Sequence, residues 1–186
     1  MDIHNIEIKL AIDDADAARA AIEGLADGAP TRLEQVDTYF DAGREAMLKL
    51  RRESVDGGPA RTCLIAYRRT LATGPEPSDI RLVRVDDGDG LHNALAHALS
   101  IIAVVRKHRD LYFRGQTRIH LDSIEGLGAF VELEVVLRAD QSHADGRRIA
   151  GEVLDRLGLA DARPQTASYR DLVAAGGGAV ERSPTR

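Results

Sequence analysis

Charged residues spaced two apart recur along this chain inside segments that alternate apolar and polar, and that spacing most restricts how it can fold. Side chains at i and i+2 of a strand point to the same face. Glu7 and Lys9 alternate with Ile6, Ile8, Leu10 and Ile12. Lys49 with Arg51, Lys107 with Arg109, and Glu132 with Glu134 repeat the spacing, and Arg118, His120 and Asp122 line one side of a further segment. In an ordinary half-exposed sheet such faces meet water, but repetition over most of the strands argues for a shared interior. Eight antiparallel strands close into a barrel wide enough for a small ligand, with interior and exterior positions alternating. A lumen carrying several Lys and Arg is tolerable only when it receives a polyanion, and clustered Glu only when it receives a cation. Metal plus phosphate is the implied combination. Hard Mg2+ or Mn2+ fits it, because these ions prefer carboxylate oxygens and water and bridge to substrate phosphates.

The remaining elements follow from periodicity and turn signals. Strands are predicted over Arg32–Asp41, Ala46–Ser54, Arg61–Thr70 and Ile80–Val85, separated by Ala42-Gly43, Asp56-Gly57-Gly58-Pro59 and Gly74-Pro75-Glu76-Pro77. Three more are predicted near Ala103–Phe113, Thr117–Ile124 and Phe130–Leu137. Helices are expected over Ala15–Ala26, Leu91–Ile102 and Ala144–Leu157. The expected fold class is therefore α+β, an antiparallel eight-stranded β-barrel with about three flanking helices. At 186 residues the chain is the size of one domain. Residues 1–173 are assigned to it, ending after a short segment around Ser168 to Val173, and 174–186 to a flexible tail that begins at Ala174-Ala175-Gly176-Gly177-Gly178.

Composition narrows the function classes. A formal net charge of −5 argues against a general nucleic-acid binder. No run is long and apolar enough to span a membrane, and the start lacks a secretory signal, so the expected location is the cytoplasm, with no membrane partner. The single cysteine, Cys63, excludes an internal disulfide framework and reads as a buried strand thiol. His92 and His97 lack metal-ligand spacing, and Asp86-Asp87-Gly88-Asp89-Gly90 lacks the ligand pattern of a calcium loop and reads as a loop and helix cap. No glycine-rich phosphate loop or dinucleotide fingerprint is present, so phosphate binding must come from side chains.

The order of these segments resembles the CYTH family, the triphosphate tunnel metalloenzymes that include class IV adenylate cyclases, thiamine triphosphatases and inorganic triphosphatases. The resemblance spans about Ile3 to Val173: Asn5-Ile6-Glu7-Ile8-Lys9, Gln35-Val36-Asp37-Thr38-Tyr39-Phe40-Asp41, Leu48-Lys49-Leu50-Arg51, Val105-Arg106-Lys107-His108-Arg109 and Arg118-Ile119-His120-Leu121-Asp122. It continues through Glu125-Gly126-Leu127-Gly128 and Phe130-Val131-Glu132-Leu133-Glu134, and closes at Ser168-Tyr169-Arg170-Asp171-Leu172. The Asp-Thr-Tyr-Phe-Asp strand, the hairpin leading to Glu-Leu-Glu and the Ser-Tyr-Arg-Asp-Leu end look most like the class IV adenylate cyclase branch.

The resemblance implies a metal-dependent enzyme acting on a triphosphate such as ATP, thiamine triphosphate or tripolyphosphate. Glu7, Glu132 and Glu134 would be the catalytic and metal-holding carboxylates, with Mg2+ or Mn2+ as cofactor. Lys9, Lys49, Arg51, Lys107, Arg109 and Arg118 would bind substrate phosphates, with Arg68 or Arg69 as a further basic contact. The activity expected is conversion of ATP to cyclic AMP and pyrophosphate, or the closely related release of orthophosphate from an inorganic or thiamine triphosphate. A third reading is a sensor that binds nucleotide or polyphosphate without turnover, and relatives suggest a homodimer. Two departures stand out. Asn5 occupies a position where the family carries an acid, which weakens a second metal site, and Glu76-Pro77 stand where many relatives are basic, a contact that Arg81 or Arg84 would replace. His120 is expected to hydrogen-bond structurally, and Tyr39 to touch substrate or pack in the barrel.

Overall fold

The computed structural model describes residues 5–43, 46–68, 80–162 and 164–176. In chain order these form β1 (Asn5–Ile12), α1 (Ala15–Leu25), β2 (Thr31–Phe40), β3 (Ala46–Val55), β4 (Arg61–Arg68), β5 (Ile80–Val85), α2 (Gly88–Ala98), β6 (Ile101–Arg114), β7 (Thr117–Ile124), β8 (Gly128–Val136), α3 (His143–Leu157) and α4 (Tyr169–Ala175). The fold is α+β, an eight-stranded antiparallel sheet in the hydrogen-bonded order β1-β8-β7-β6-β2-β3-β4-β5, accompanied by four helices. The chain divides into two compact units, one comprising 1–33 and 107–166, the other 34–106 and 167–186.

In the first unit, period-two alternation separates two faces. Tyr112 on β6, Ile119 and Leu121 on β7, and Val131 and Leu133 on β8 pack with Ala18, Ile22 and Leu25 of α1 and Val153 and Leu157 of α3 into one buried core. The α1 residues recur at helical spacing, as do Gly146, Ala150, Val153 and Leu157 on α3, so each helix lays one apolar stripe on the sheet. Asp14 caps α1 by accepting from the Ala17 N–H at 2.9 Å, and Ser142 with Asp145 forms a reciprocal capping box at the start of α3. Gly146 lets α3 come close to β1. A Cβ there would meet Ile6 Cγ1 at 2.6 Å and Leu137 Cδ2 at 2.7 Å.

The second unit pairs β3 with β4 and β4 with β5. Lys49 stands opposite Ile65, and Arg51 opposite Cys63, which in turn faces Arg84. Its helix α2 corrects the expected span. The helix begins at Gly88, where the Asp87 carboxylate accepts from the Gly90 N–H at 2.8 Å, and stops at Ala98, because Leu99 is already extended and the β-branched pair Ile101-Ile102 opens β6. The fourth helix, α4, exceeds the three expected. It is seven residues long, capped by Ser168 with Asp171, and buries only Tyr169 and Val173, too little repetition for periodicity to reveal. The sequence at 74–77 and the tail from 177 onward lie outside the described residues.

Candidate functional site

Strand β8 organises the polar face of the first unit. Its ladders place Glu132 between Lys9 of β1 and His120 of β7, and Glu134 between Glu7 of β1 and Arg118 of β7. Two cross-strand rows result, each built by the same alternation that sends Val131 and Leu133 into the core on the other side. In the first row Lys9 Nζ lies 3.8 Å from Glu132 Oε2, and His120 Nδ1 lies 3.0 Å from Glu132 Oε1. In the second, Arg118 Nη1 donates to Glu134 Oε2 at 3.0 Å and Asn5 Nδ2 donates to Glu134 Oε1 at 2.7 Å. Arg109 of β6 stands opposite Asp122 of β7, gives it two parallel hydrogen bonds of 2.6 Å, and reaches Glu132 Oε1 at 3.3 Å. Lys107 on the same strand is buried.

These contacts set the charge states. Glu132 is buried, and desolvation alone would raise its pKa; the hydrogen bond with His120 and the charges of Arg109, His120 and Lys9 outweigh that and hold it down to about 2. Glu7 keeps access to water, yet its carboxyl is pushed up, first by partial desolvation and next by the charge of Glu132, with Lys9 opposing. Glu132 and Glu134 have cations at their oxygens, whereas no hydrogen bond or ion pair engages Glu7 among the described residues.

This donor set offers carboxylate oxygen, which a hard divalent cation prefers, and among the described residues no hydrogen bond occupies Glu7. No group of three His, Cys, Asp or Glu side chains forms a ready cage among the described residues, so phosphate oxygens and water would complete the shell, as Mg2+ commonly requires.

The second unit carries Lys49 and Arg51 on β3, gathered around Asp37 of β2. Arg51 donates from Nε to Asp37 Oδ1 and from Nη2 to Asp37 Oδ2, both at 2.6 Å, and Lys49 Nζ donates to Asp37 Oδ2 at 2.9 Å. Lys49 Nζ also sits 3.5 Å from the Tyr39 hydroxyl and 5.4 Å from its ring centre. Burial, and then the Asp37 charge, push the Tyr39 phenol well above its ordinary range, so it stays protonated. For Arg51 burial works toward deprotonation, but the Asp37 bond outweighs it and keeps the guanidinium charged. Arg84 occupies the register position on the Arg51 side of β5, while Arg81 pairs with Ala66 on the alternate side. The side chains of Arg68 and Arg69 lie outside the described residues. A cavity of about 850 Å3 lies on the other face of this unit, lined by Val36, Thr38, Leu50, Arg52 and α2 residues, and none of the expected site residues lines it.

Seven of the nine expected residues thus fall in the first unit and two in the second. Sequence reasoning misses two further residues of consequence, Asp37 and Asp122, although each sits at i+2 spacing on a strand beside one bearing Lys and Arg. His120 does hydrogen-bond structurally, to Glu132, and Tyr39 packs beside Lys49.

Comparison with known proteins adds an independent line. The family profile described as CYTH domain matches residues 4–169. The adenylate cyclase CyaB of Aeromonas hydrophila is 27% identical over 177 residues, covering 90% of this chain and 87% of that protein. Among solved structures, the PH1012 protein of Pyrococcus horikoshii superposes with a TM-score of 0.72 at 24% identity, covering 91% of this chain and 99% of that one. A chain from Hippeastrum described as an adenylyl cyclase candidate with a dominant triphosphatase activity superposes with a TM-score of 0.63 at 16% identity, covering 96% of this chain and 98% of that one.

Proposed function

This chain belongs to the CYTH domain family, and on that premise we propose that it is a divalent-metal-dependent enzyme that converts ATP to cyclic AMP and pyrophosphate. The observation that supports this best is the pair of cross-strand rows on β8, where Glu132 stands between Lys9 and His120 and Glu134 between Glu7 and Arg118. Such a face binds an anionic ligand and a cation together better than either alone. Glu7, Glu132 and Glu134 would hold the metal, which when bound neutralises phosphate charge.

Lys9, Lys49, Arg51, Lys107, Arg109 and Arg118 bind the phosphate oxygens in this reading. Their charges orient the chain of phosphates and stabilise the negative charge that collects on the leaving pyrophosphate. The substrate 3′-oxygen forms the new bond to the α-phosphorus, the bond from that phosphorus to the bridging oxygen breaks, and the hydroxyl proton leaves to solvent. The likeness to the Aeromonas cyclase along nearly the whole chain supports this choice. Hydrolysis of a triphosphate to a diphosphate and orthophosphate is the second reading, supported by the description of the Hippeastrum neighbour.

The test is to incubate the protein with ATP, thiamine triphosphate and tripolyphosphate, each with Mg2+ or Mn2+, and to identify products by phosphorus NMR. Cyclic AMP with pyrophosphate is the expected outcome, and Glu134→Gln should lower its rate by about 100-fold or more. Orthophosphate with a diphosphate would replace the cyclase with the hydrolase. Binding without turnover of any of the three would leave a sensor and remove the enzyme.

A further inference from the structure

Asp37 is 2% exposed and on β2, yet it holds two cations of β3 at once. A buried carboxylate is costly unless paired, and here one carboxylate meets a guanidinium and an ammonium, which leaves the trio with a net positive charge. The contact with Arg51 is a fork. Two parallel bonds fix the guanidinium plane as well as its place, which a single ion pair would not do. Of the five N–H groups of Arg51, Asp37 takes Nε–H and one on Nη2, so three remain directed away from the carboxylate. The first unit repeats the arrangement: Asp122, fully buried, grips Arg109 through the same Nε and Nη2 atoms at the same 2.6 Å.

We propose that Asp37 is a positioning residue that locks Arg51 in the geometry that receives a triphosphate. The proposal rests on the triphosphate chemistry proposed above. It adds a role for a residue that touches no phosphate itself and, being negative, opposes phosphate binding by charge alone.

That opposition supplies the test. Asp37→Asn removes one negative charge and keeps the size of the side chain, so an electrostatic bystander would yield tighter triphosphate binding and unchanged kcat. A positioning residue predicts a split: KM for the triphosphate unchanged or lower, and kcat down by about 100-fold. If Asp37 acts through Arg51, Asp37→Asn combined with Arg51→Met should cost no more than Arg51→Met alone. Wild-type kcat in Asp37→Asn, or losses that multiply in the double variant, overturn the proposal. Should Asp37→Asn fail to fold, Arg51→Lys carries the measurement, since it keeps the charge and loses the fork. The same split is expected there, and wild-type kcat again overturns the proposal. If the unsubstituted chain turns over no triphosphate, the functional reading and this role fail together; if it does and the split is absent, only the role of Asp37 fails.

Discussion

Lys49 and Arg109 are expected to do the same work on phosphate, but their partners make them unequal for stability. Removing Lys49 leaves Asp37 in its two bonds to Arg51. Removing Arg109 takes away both bonds of the fork to Asp122, which is 0% exposed, and the contact with Glu132 as well. Breaking a buried pair from one side costs about 3–5 kcal/mol, whereas losing one of two partners costs on the order of 1 kcal/mol. Both Lys49→Ala and Arg109→Ala should weaken tripolyphosphate binding by calorimetry, while only Arg109→Ala should also lower the melting temperature strongly. Equal melting shifts in the two variants would mean that Asp122 is better compensated than its fork implies.

At the level of elements, α3 illustrates how a local signal becomes a measurable pH dependence. The Ser142 hydroxyl and backbone N–H hold the Asp145 carboxyl below the ordinary carboxylate range. Because the folded pKa is depressed, the contribution to stability is complete above the unfolded value, about 3.9, and is lost as pH falls through the lower folded value. The melting difference between wild type and Asp145→Ala should therefore be full at pH 6 and shrink toward pH 3; a constant difference would separate the cap from ionisation. The charged pairs on the strands were legible in sequence because they depend on spacing along one segment. The end of α2 was not, since Leu99 and Ile102 continue the helical spacing while Leu99 turns extended as the C-cap and Ile102 falls in β6. Nor were the roles of Asp37 and Asp122, because which cation a carboxylate meets depends on register between strands, and a shift of one residue would send it to the opposite face. Asn5 shows the same limit: its sequence position marks a missing acid, but only the folded chain shows its amide bonded to Glu134, diagonally across from its ladder partner Val136.

For the whole molecule the balance of charge is acidic, −5, while the residues proposed to meet phosphate are cations. Long-range attraction for a polyanion is therefore weak, and binding must come from cations in direct contact. Screening at physiological salt acts over about 8 Å, so it weakens exposed pairs far more than buried ones. Among the proposed contacts Arg118 is the more accessible, with 40% of its side chain exposed against 12% for Arg109. Tripolyphosphate affinity should fall as sodium chloride rises from 50 to 500 mM. Arg118→Gln should flatten that dependence more than it lowers affinity at high salt, because the contact it removes is the one that salt already screens. Affinity independent of salt in the wild type would place the bound phosphates beyond reach of solvent ions, whereas an unchanged slope in Arg118→Gln would take Arg118 out of the phosphate contacts and leave it as the partner of Glu134 alone.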